Sequence, residues 1–267
     1  MTTQALAPGK KEKAPLRHRK SVDKLSAEEL NALREAFAKA MEIKDERGFS
    51  YFAGWHGEPF KWCEHHTDLF LPWHRAYLYY LELALQAQLK KDVTVTLPWW
   101  DWTKSTTLPP AYTDDPGNPL NPKVIKFFHS SQTVDIPPRE PGAAAETTPP
   151  EVPDLPYDKR WDQAMKATTF AEFQRRLEAI HDDVHGWVGG IMLDRRVAAY
   201  DPVFYAHHVM VDRAWRIWQY KNPGARPRDE LLDVALRPNG MTVRKTLYVH
   251  HLGYEYAGTA SKVPGTV

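Results

Sequence analysis

Residues His65–Glu82 read HHTDLFLPWHRAYLYYLE, and two histidines set around one proline decide how the chain folds here. His74 lies nine positions after His65, a spacing that on one unbroken helix puts the two on opposite faces, since each residue advances about 100°. Pro72 interrupts that helix. His65 is therefore expected from a loop or preceding turn, and His74 from a new helix that opens at Trp73 and runs to about Leu89. His56 and His66 bring two more imidazoles into the region. Upstream, Ser26 and Glu29 read as a capping box opening a helix through about Met41, with Leu30, Leu33, Phe37 and Met41 on one face. The Gly- and aromatic-rich stretch at 48–62, GFSYFAGWHGEPFKW, reads as a loop.

A second histidine region lies downstream. Phe170 to about Val188 (FAEFQRRLEAIHDDVHGWV) is predicted helical, capped by Thr168 or Thr169 and ended by Gly189-Gly190. His181 and His185 stand four apart on it, about 40° round the axis, so both imidazoles project from one face and can share a metal ion. Asp201-Pro202 opens a further helix to about Tyr220, closed by Asn222-Pro223-Gly224, and it carries His207 and His208. Adjacent helical residues do not aim at one point, so one of this pair ligates while the other packs or hydrogen-bonds. No carboxylate competes for the ligand positions. All-imidazole sites suit copper or zinc. Catalytic zinc takes one three-ligand site with an open position, so two imidazole triads favour a dinuclear centre.

Between the two regions, VTVTLPWWDW (93–102) reads as an extended stretch turning into a loop. Residues 108–157 hold twelve of the 22 prolines with little periodicity, a long irregular excursion rather than a linker. MTVRKTLYVHHLGYEY (241–256) alternates like a strand.

Composition excludes several classes. A net charge of +1 from 35 basic and 34 acidic residues gives no stripe for a polyanion, so no nucleic-acid partner is expected. A single cysteine rules out a disulfide framework and cysteine-based zinc sites. No apolar run approaches the roughly 20 residues that span a bilayer. The basic N-terminus is not followed by an apolar segment, which gives the expectation of a soluble, cytoplasmic protein without a membrane partner.

His65–Glu82 resembles the copper-A motif of the tyrosinase, polyphenol oxidase and hemocyanin family of type-3 copper proteins. Asp201–Asp212 (DPVFYAHHVMVD) resembles its copper-B motif. The resemblance covers about 17–256, read as one catalytic domain between a flexible tail at 1–16 and a short tail at 257–267. It implies a mainly α fold, a four-helix-bundle core holding a dinuclear copper site, with long irregular loops and a few short strands. It implies that His56, His65 and His74 bind one copper ion and His181, His185 and His208 the other, His208 because the motif places its ligand four residues before the Asp.

By the same resemblance, Cys63 stands where relatives form a thioether to the histidine two residues on, here His65. Glu178, or alternatively Glu172, matches a glutamate that holds a water near the second copper. Asp182 matches the residue that helps deprotonate a phenol. Asp212 is placed to orient a ligand or to pair with Arg75 or Arg213. Tyr254-x-Tyr256 resembles the motif closing the domain, with Arg19 as partner, and an occluding C-terminal extension is not expected. Arg195 and Arg196 fall in the loop that gates the substrate entrance. The implied activity is oxidation of small phenols and ortho-diphenols to ortho-quinones with O2. An ortho-aminophenol oxidase is the alternative on the same site. A hemocyanin-type carrier is less favoured because such carriers work as large assemblies with a covering domain, and a zinc hydrolase has no use for six histidines. The oligomeric state is not legible.

Overall fold

A computed structural model of the chain describes residues 15–113, 117–130, 133–135, 139, 141 and 158–258. Helix α1, Ala27–Glu42, starts where its capping box requires: Ser26 Oγ accepts from the Glu29 N–H at 3.2 Å, and Glu29 Oε2 accepts from the Ser26 N–H at 2.8 Å. It buries Leu33, Ala36, Phe37 and Ala40 against helix α3.

Helix α2, Phe49–His56, occupies the stretch read as a loop. Phe49, Phe52, Ala53, Gly54, Trp55 and His56 are all buried. A helix covered on nearly every side has no polar face, so the 3.6-residue signature that would announce it is missing.

Helix α3, Phe70–Gln86, begins three residues before the expected start. Pro72 sits in its first turn, where a missing N–H leaves no bond unmade, so the proline does not end one helix and open another. Tyr77, Leu78, Leu81 and Leu85 have no exposed surface, which makes α3 the central helix. A short helix α4, Asp158–Met165, which the sequence pattern did not signal, packs on α5, Phe170–Val188. Helix α5 is capped by Thr169, whose Oγ1 accepts from the Glu172 N–H, and ends at Gly189 with φ +71°. Helix α6, Val203–Lys221, is nearly enclosed, with Asp201 Oδ1 taking the Val203 N–H at 3.0 Å. Helices α2, α3, α5 and α6 form the four-helix core, α6 lying against both α3 and α5. Their interior is aromatic: Trp218 stacks on Phe173 at 4.5 Å, and Trp73, Trp100 and Trp215 are fully buried.

The segment read as a C-terminal strand folds otherwise. It forms a one-turn helix α7, Val243–Thr246, and a 3-10 turn at Val249–Leu252, and only Tyr254–Tyr256 is strand. Val243, Thr246, Val249 and Leu252 are buried at a spacing of three rather than two, with Leu247 buried beside Thr246. Naming the strands in chain order, β1 (Arg17–Arg19) pairs in parallel with β4 (Tyr254–Tyr256), and β2 (Val124–Lys126) pairs antiparallel with β3 (Thr133–Asp135) inside the proline-rich excursion. Arg139 ties that excursion to the start of α6 through a two-pronged pair with Asp201, at 2.5 and 2.7 Å. Most of 136–157, and the tails at 1–14 and 259–267, lie outside the described residues. Among the described residues no helix is long and apolar enough to cross a membrane.

The two ends of the domain meet α3 and α6 through one buried network. Arg75 Nε donates to Asp212 Oδ1 at 2.5 Å, and Arg19 Nη1 and Tyr254 Oη donate to Asp212 Oδ2 at 3.3 and 2.6 Å. Tyr256 Oη bonds the same oxygen. Arg19 Nε and Arg17 Nη1 both reach Glu82 at 2.8 Å. Asp212 thus pairs with Arg75 and not with Arg213, whose guanidinium lies over Trp99 at 4.8 Å. With its oxygens taken this way, Asp212 holds elements together rather than orienting an imidazole. Burial acts to raise its carboxyl, but Arg75, Arg19 and the two tyrosine hydroxyls outweigh it and leave the group below the usual carboxylate range. Asp212→Asn, which leaves the buried Arg75 guanidinium without a carboxylate and takes one of two from Arg19, is expected to destabilise the fold by about 3–5 kcal/mol in urea unfolding. Because the folded pKa is lowered, this stabilisation is complete above the ordinary carboxylate range and is lost as pH falls through the folded value. The variant should therefore show a shallower acid-induced loss of stability than the parent.

Candidate metal centre

Each of the four core helices, and one loop, delivers imidazoles to a single point. His56 is the last residue of α2, His74 is in the second turn of α3, His181 and His185 stand on α5, and His207 and His208 on α6. His65 comes from the loop before α3, as its spacing from His74 requires. Helix α2 can end as it does because Gly57 follows: a Cβ there would sit 2.0 Å from the Arg196 carbonyl, which takes the Glu58 N–H at 2.8 Å.

Two groups of rings result. His56, His65 and His74 have centroids 5.0–5.6 Å apart. His181, His185 and His208 have centroids 4.5–5.4 Å apart. The groups touch through His74 and His208, stacked at 4.5 Å, and through His65 and His181 at 5.7 Å. Phe204 packs on His56 and His208 at 4.7 and 4.0 Å, and Phe70 on His74 at 4.7 Å, so hydrocarbon fills the space around the nitrogens.

Proton positions follow from the outer partners. His74 Nδ1 donates to the Phe70 carbonyl, and His185 Nδ1 to the Met192 carbonyl, both at 2.9 Å. His181 Nδ1 donates to Asp182 Oδ1 at 3.0 Å. Each bond fixes the tautomer and turns an Nε2 lone pair inward. His208 Nε2 lies 3.2 Å from Nε2 of both His181 and His185. A proton there satisfies at most one of these neighbours, and His208 Nδ1, like His74 Nε2, is buried with no partner among the described residues. Either tautomer of His208 leaves a buried nitrogen unsatisfied, at a cost of about 1–3 kcal/mol each. A metal ion that favours imidazole removes that cost, and copper or zinc fits this donor set.

Burial lowers every one of these imidazoles: His65 to about 2, His74 to about 3 and His185 to about 4, with His56, His181 and His208 well below the ordinary histidine value. All six are neutral at neutral pH, the form that ligates.

A hollow of about 220 Å³ opens in front of the rings, lined by His56, His65, His181, His185, Asp182, Met192, Leu193 and Arg195. A larger hollow of about 840 Å³ lies between the end of α1 and the β2–β3 hairpin, but among the described residues no cluster of ligating groups faces it. Asp182 is at the ring-lined mouth, its carboxyl raised by burial. Glu178 is not: it accepts the His66 N–H at 2.6 Å and faces the neighbouring hollow under that residue. Burial pushes it up to about 7. Glu172 pairs with Arg176 on the surface. Cys63 Sγ lies within 4.8 Å of nitrogens of both His56 and His65, and burial raises its thiol to about 11. Both arginines are exposed, but Arg195 lines the mouth whereas Arg196 is clamped by Asp194.

The sequence reading left His207 to pack or hydrogen-bond and did not foresee how deep in the cluster it sits. His207 is fully buried, stacks on His181 at 5.0 Å, and offers a nitrogen within 4.8 Å of those of His181, His185 and His208. The Met192 carbonyl was also missed, since a backbone acceptor leaves no mark on residue type.

Residues 46–221 match the family model described as the common central domain of tyrosinase, about two thirds of the chain. The chain belongs to the type-3 copper family. Hemocyanin units G and H of Sepia officinalis are 31% identical over 216 residues, 75% of this chain and 37% of that protein. The chain spans well under two thirds of the length of this and similar curated hemocyanins. Among solved structures, a functional unit of Octopus hemocyanin superposes with a TM-score of 0.76 at 26% identity, covering 91% of this chain and 68% of that one. A mushroom tyrosinase shares the fold with a TM-score of 0.68 at 19% identity, covering 91% and 90%. Type-3 copper proteins bind two copper ions, and the paired imidazole groups here fit such a centre.

The depressed imidazoles predict a pH dependence for the metal-free type-3 chain. The unfolded state takes up protons below about pH 6.5 while the folded state does not, so stability falls as pH drops from there, by about 1.4 kcal/mol per pH unit for each imidazole kept neutral. Urea midpoints between pH 7 and 5 should fall steeply without metal and much less with copper bound. A flat metal-free profile would contradict the buried, neutral cluster.

Proposed function

We propose that this chain oxidises phenols and ortho-diphenols to ortho-quinones with O2, using one copper ion held by His56, His65 and His74 and a second held by His181, His185 and His208. The observation that carries the reading is the hollow beside both groups of imidazoles, walled by Met192 and Leu193 and open to solvent at Asp182 and Arg195. A substrate ring fits there against apolar side chains. A centre that only carries O2 has no use for such a place. Bound copper would supply the electrons that O2 reduction takes. An ortho-diphenol gives up two hydrogens, and two such oxidations turn one O2 into water. A monophenol takes one oxygen atom of O2, and the other leaves as water.

The chain's own groups prepare the substrate. Asp182 Oδ1 is engaged by His181 Nδ1, so its other oxygen, Oδ2, takes the phenolic proton. Burial raises this carboxyl and makes it a better base than a solvated aspartate. Phe204 and Phe70 exclude water from the nitrogens. Glu178 holds the backbone of the His65–His66 turn and so fixes the direction of His65. A second reading, reversible O2 binding without turnover, is favoured by the hemocyanins among the relatives.

Metal analysis and an oxygen electrode separate these readings. The purified chain should hold about two copper ions, falling to about one in His208→Ala. Catechols should drive steady O2 uptake, with monophenols and aminophenols as parallel substrates. Binding of O2 without uptake on catechol supports the carrier, and zinc occupancy with no uptake after copper addition defeats both.

The Cys63–His65 proximity carries a separate prediction, that a thioether joins them. The S–C bond replaces one S–H and one C–H, and the two electrons and two protons go to O2. After exposure to copper and O2 the intact mass should be lower by two hydrogens, and Cys63 should resist alkylation even when denatured. Cys63→Ser should retain more activity than any ligand substitution, because it frees His65 without removing it. A fully alkylated Cys63 in active protein would show that the bond is not made.

A further inference from the structure

Two adjacent arginines in the loop from Gly189 to Asp201 are treated differently by the fold. Both are exposed, but Asp194 grips Arg196 with both oxygens, at 3.0 Å to Nε and 2.7 Å to Nη2. Its carbonyl is held by the Glu58 N–H. Arg195 lines the hollow in front of the histidines, and no ion pair or hydrogen bond engages its guanidinium among the described residues. Beside it Leu193 is 59% exposed, the largest exposure among the large apolar side chains noted on the surface. With Met192 it forms an apolar wall ending in an unpaired, permanently charged group. Solvated arginines are common on surfaces. One that lines a hollow of about 220 Å³, next to a bare leucine and the metal-binding rings, is arranged to meet a ligand.

The charge balance of the mouth gives the ligand's polarity. Asp182, on the α5 side, is the other acid–base group whose carboxylate faces this space, and His66 stands at the rim near it, its Nε2 4.0 Å from Asp182 Oδ2. The acidic wall repels an anion and the loop wall attracts one. A substrate with an aromatic ring and a short acidic arm therefore has one favourable orientation, with the arm on the loop side and the hydroxyl toward Asp182.

We propose that Arg195 is a specificity-determining residue that selects phenols bearing a carboxylate on a short side arm, binding the acid with its guanidinium while Met192 and Leu193 cover the ring. The proposal rests on the phenol-oxidising reading above for the identity of the ring. Two parallel donor groups match a carboxylate's two oxygens.

The test uses 4-hydroxyphenylacetate and its uncharged amide, which differ in one charge and little in size. In the copper-loaded parent, kcat/KM for the acid should exceed that for the amide by about tenfold. Arg195→Gln should bring the ratio to near one, Arg195→Glu should invert it, and Arg195→Lys should restore part of it, since a point charge lacks the paired geometry. Arg196→Gln should keep the parent ratio, because Asp194 already neutralises that residue. The same two compounds titrated calorimetrically into the protein without O2 should show the same preference, narrowing at high salt. A parent that shows no preference in the titration overturns the proposal, as does an Arg195→Gln ratio within threefold of the parent or an equal loss in Arg196→Gln. If neither compound is oxidised, the phenol-oxidising reading fails. The titration then still decides whether Arg195 recognises the acid.

Discussion

Six neutral imidazoles crowded together in a buried space, with the Nε2 lone pairs of His74, His181 and His185 turned inward, are the constraint on which the rest of this molecule depends. Facing lone pairs repel, and buried nitrogens without partners cost more than most single packing contacts return. The apo fold therefore carries a destabilised centre that the surrounding helices must over-determine. They do so with aromatic mass: Phe204, Phe70, Trp73 and Tyr77 lie around the rings, and Trp215 and Trp218 anchor the far side of α6. Metal binding converts this local frustration into affinity, because the cation meets lone pairs that are already desolvated and aimed.

The outer layer uses two kinds of support. Near the rings, backbone carbonyls of Phe70 and Met192 set tautomers, which places the proton without adding a charge to a crowded site. Farther out, full charges appear, and they are paired. Asp212 with Arg75 and Arg19, and Glu82 with Arg19 and Arg17, join α3, α6, β1 and β4 where no water competes. A misplaced terminus would expose these ions as unpaired buried charges, so the network ties closure of the domain to the alignment of the two central ligand helices.

Access distinguishes what a dicopper site can do, because carriers and oxidases share the metal chemistry. The curated relatives named above are hemocyanins, while the mushroom tyrosinase is similar in fold. The features that bear on turnover here are thus local to the mouth: an apolar wall, an acid on α5 and an unpaired arginine on the loop opposite.

The placement of the clustered histidines was partly legible from the sequence, because covalent spacing decides much of their geometry. His181 and His185 share a helix face at any tertiary packing, and His65 must leave the helix of His74 by simple rotation about the axis. The capping box at Ser26 and the stop at Gly189 are equally local. What spacing does not encode is which faces end up covered. Helix α2 had no polar face to reveal it, the buried positions of 243–252 follow a period of three only because the core lies on that side, and Pro72 was read as a break although a first turn tolerates it. The assignment of Asp212 to Arg75 rather than Arg213, the turning of Glu178 toward the His66 backbone, the arrival of His207 inside the cluster and the separation of Arg195 from Arg196 were decided only when α3, α5, α6 and the loop were packed together. Each is a choice among neighbours that are equivalent along the chain and become different through the partners that packing brings to one and not to the other.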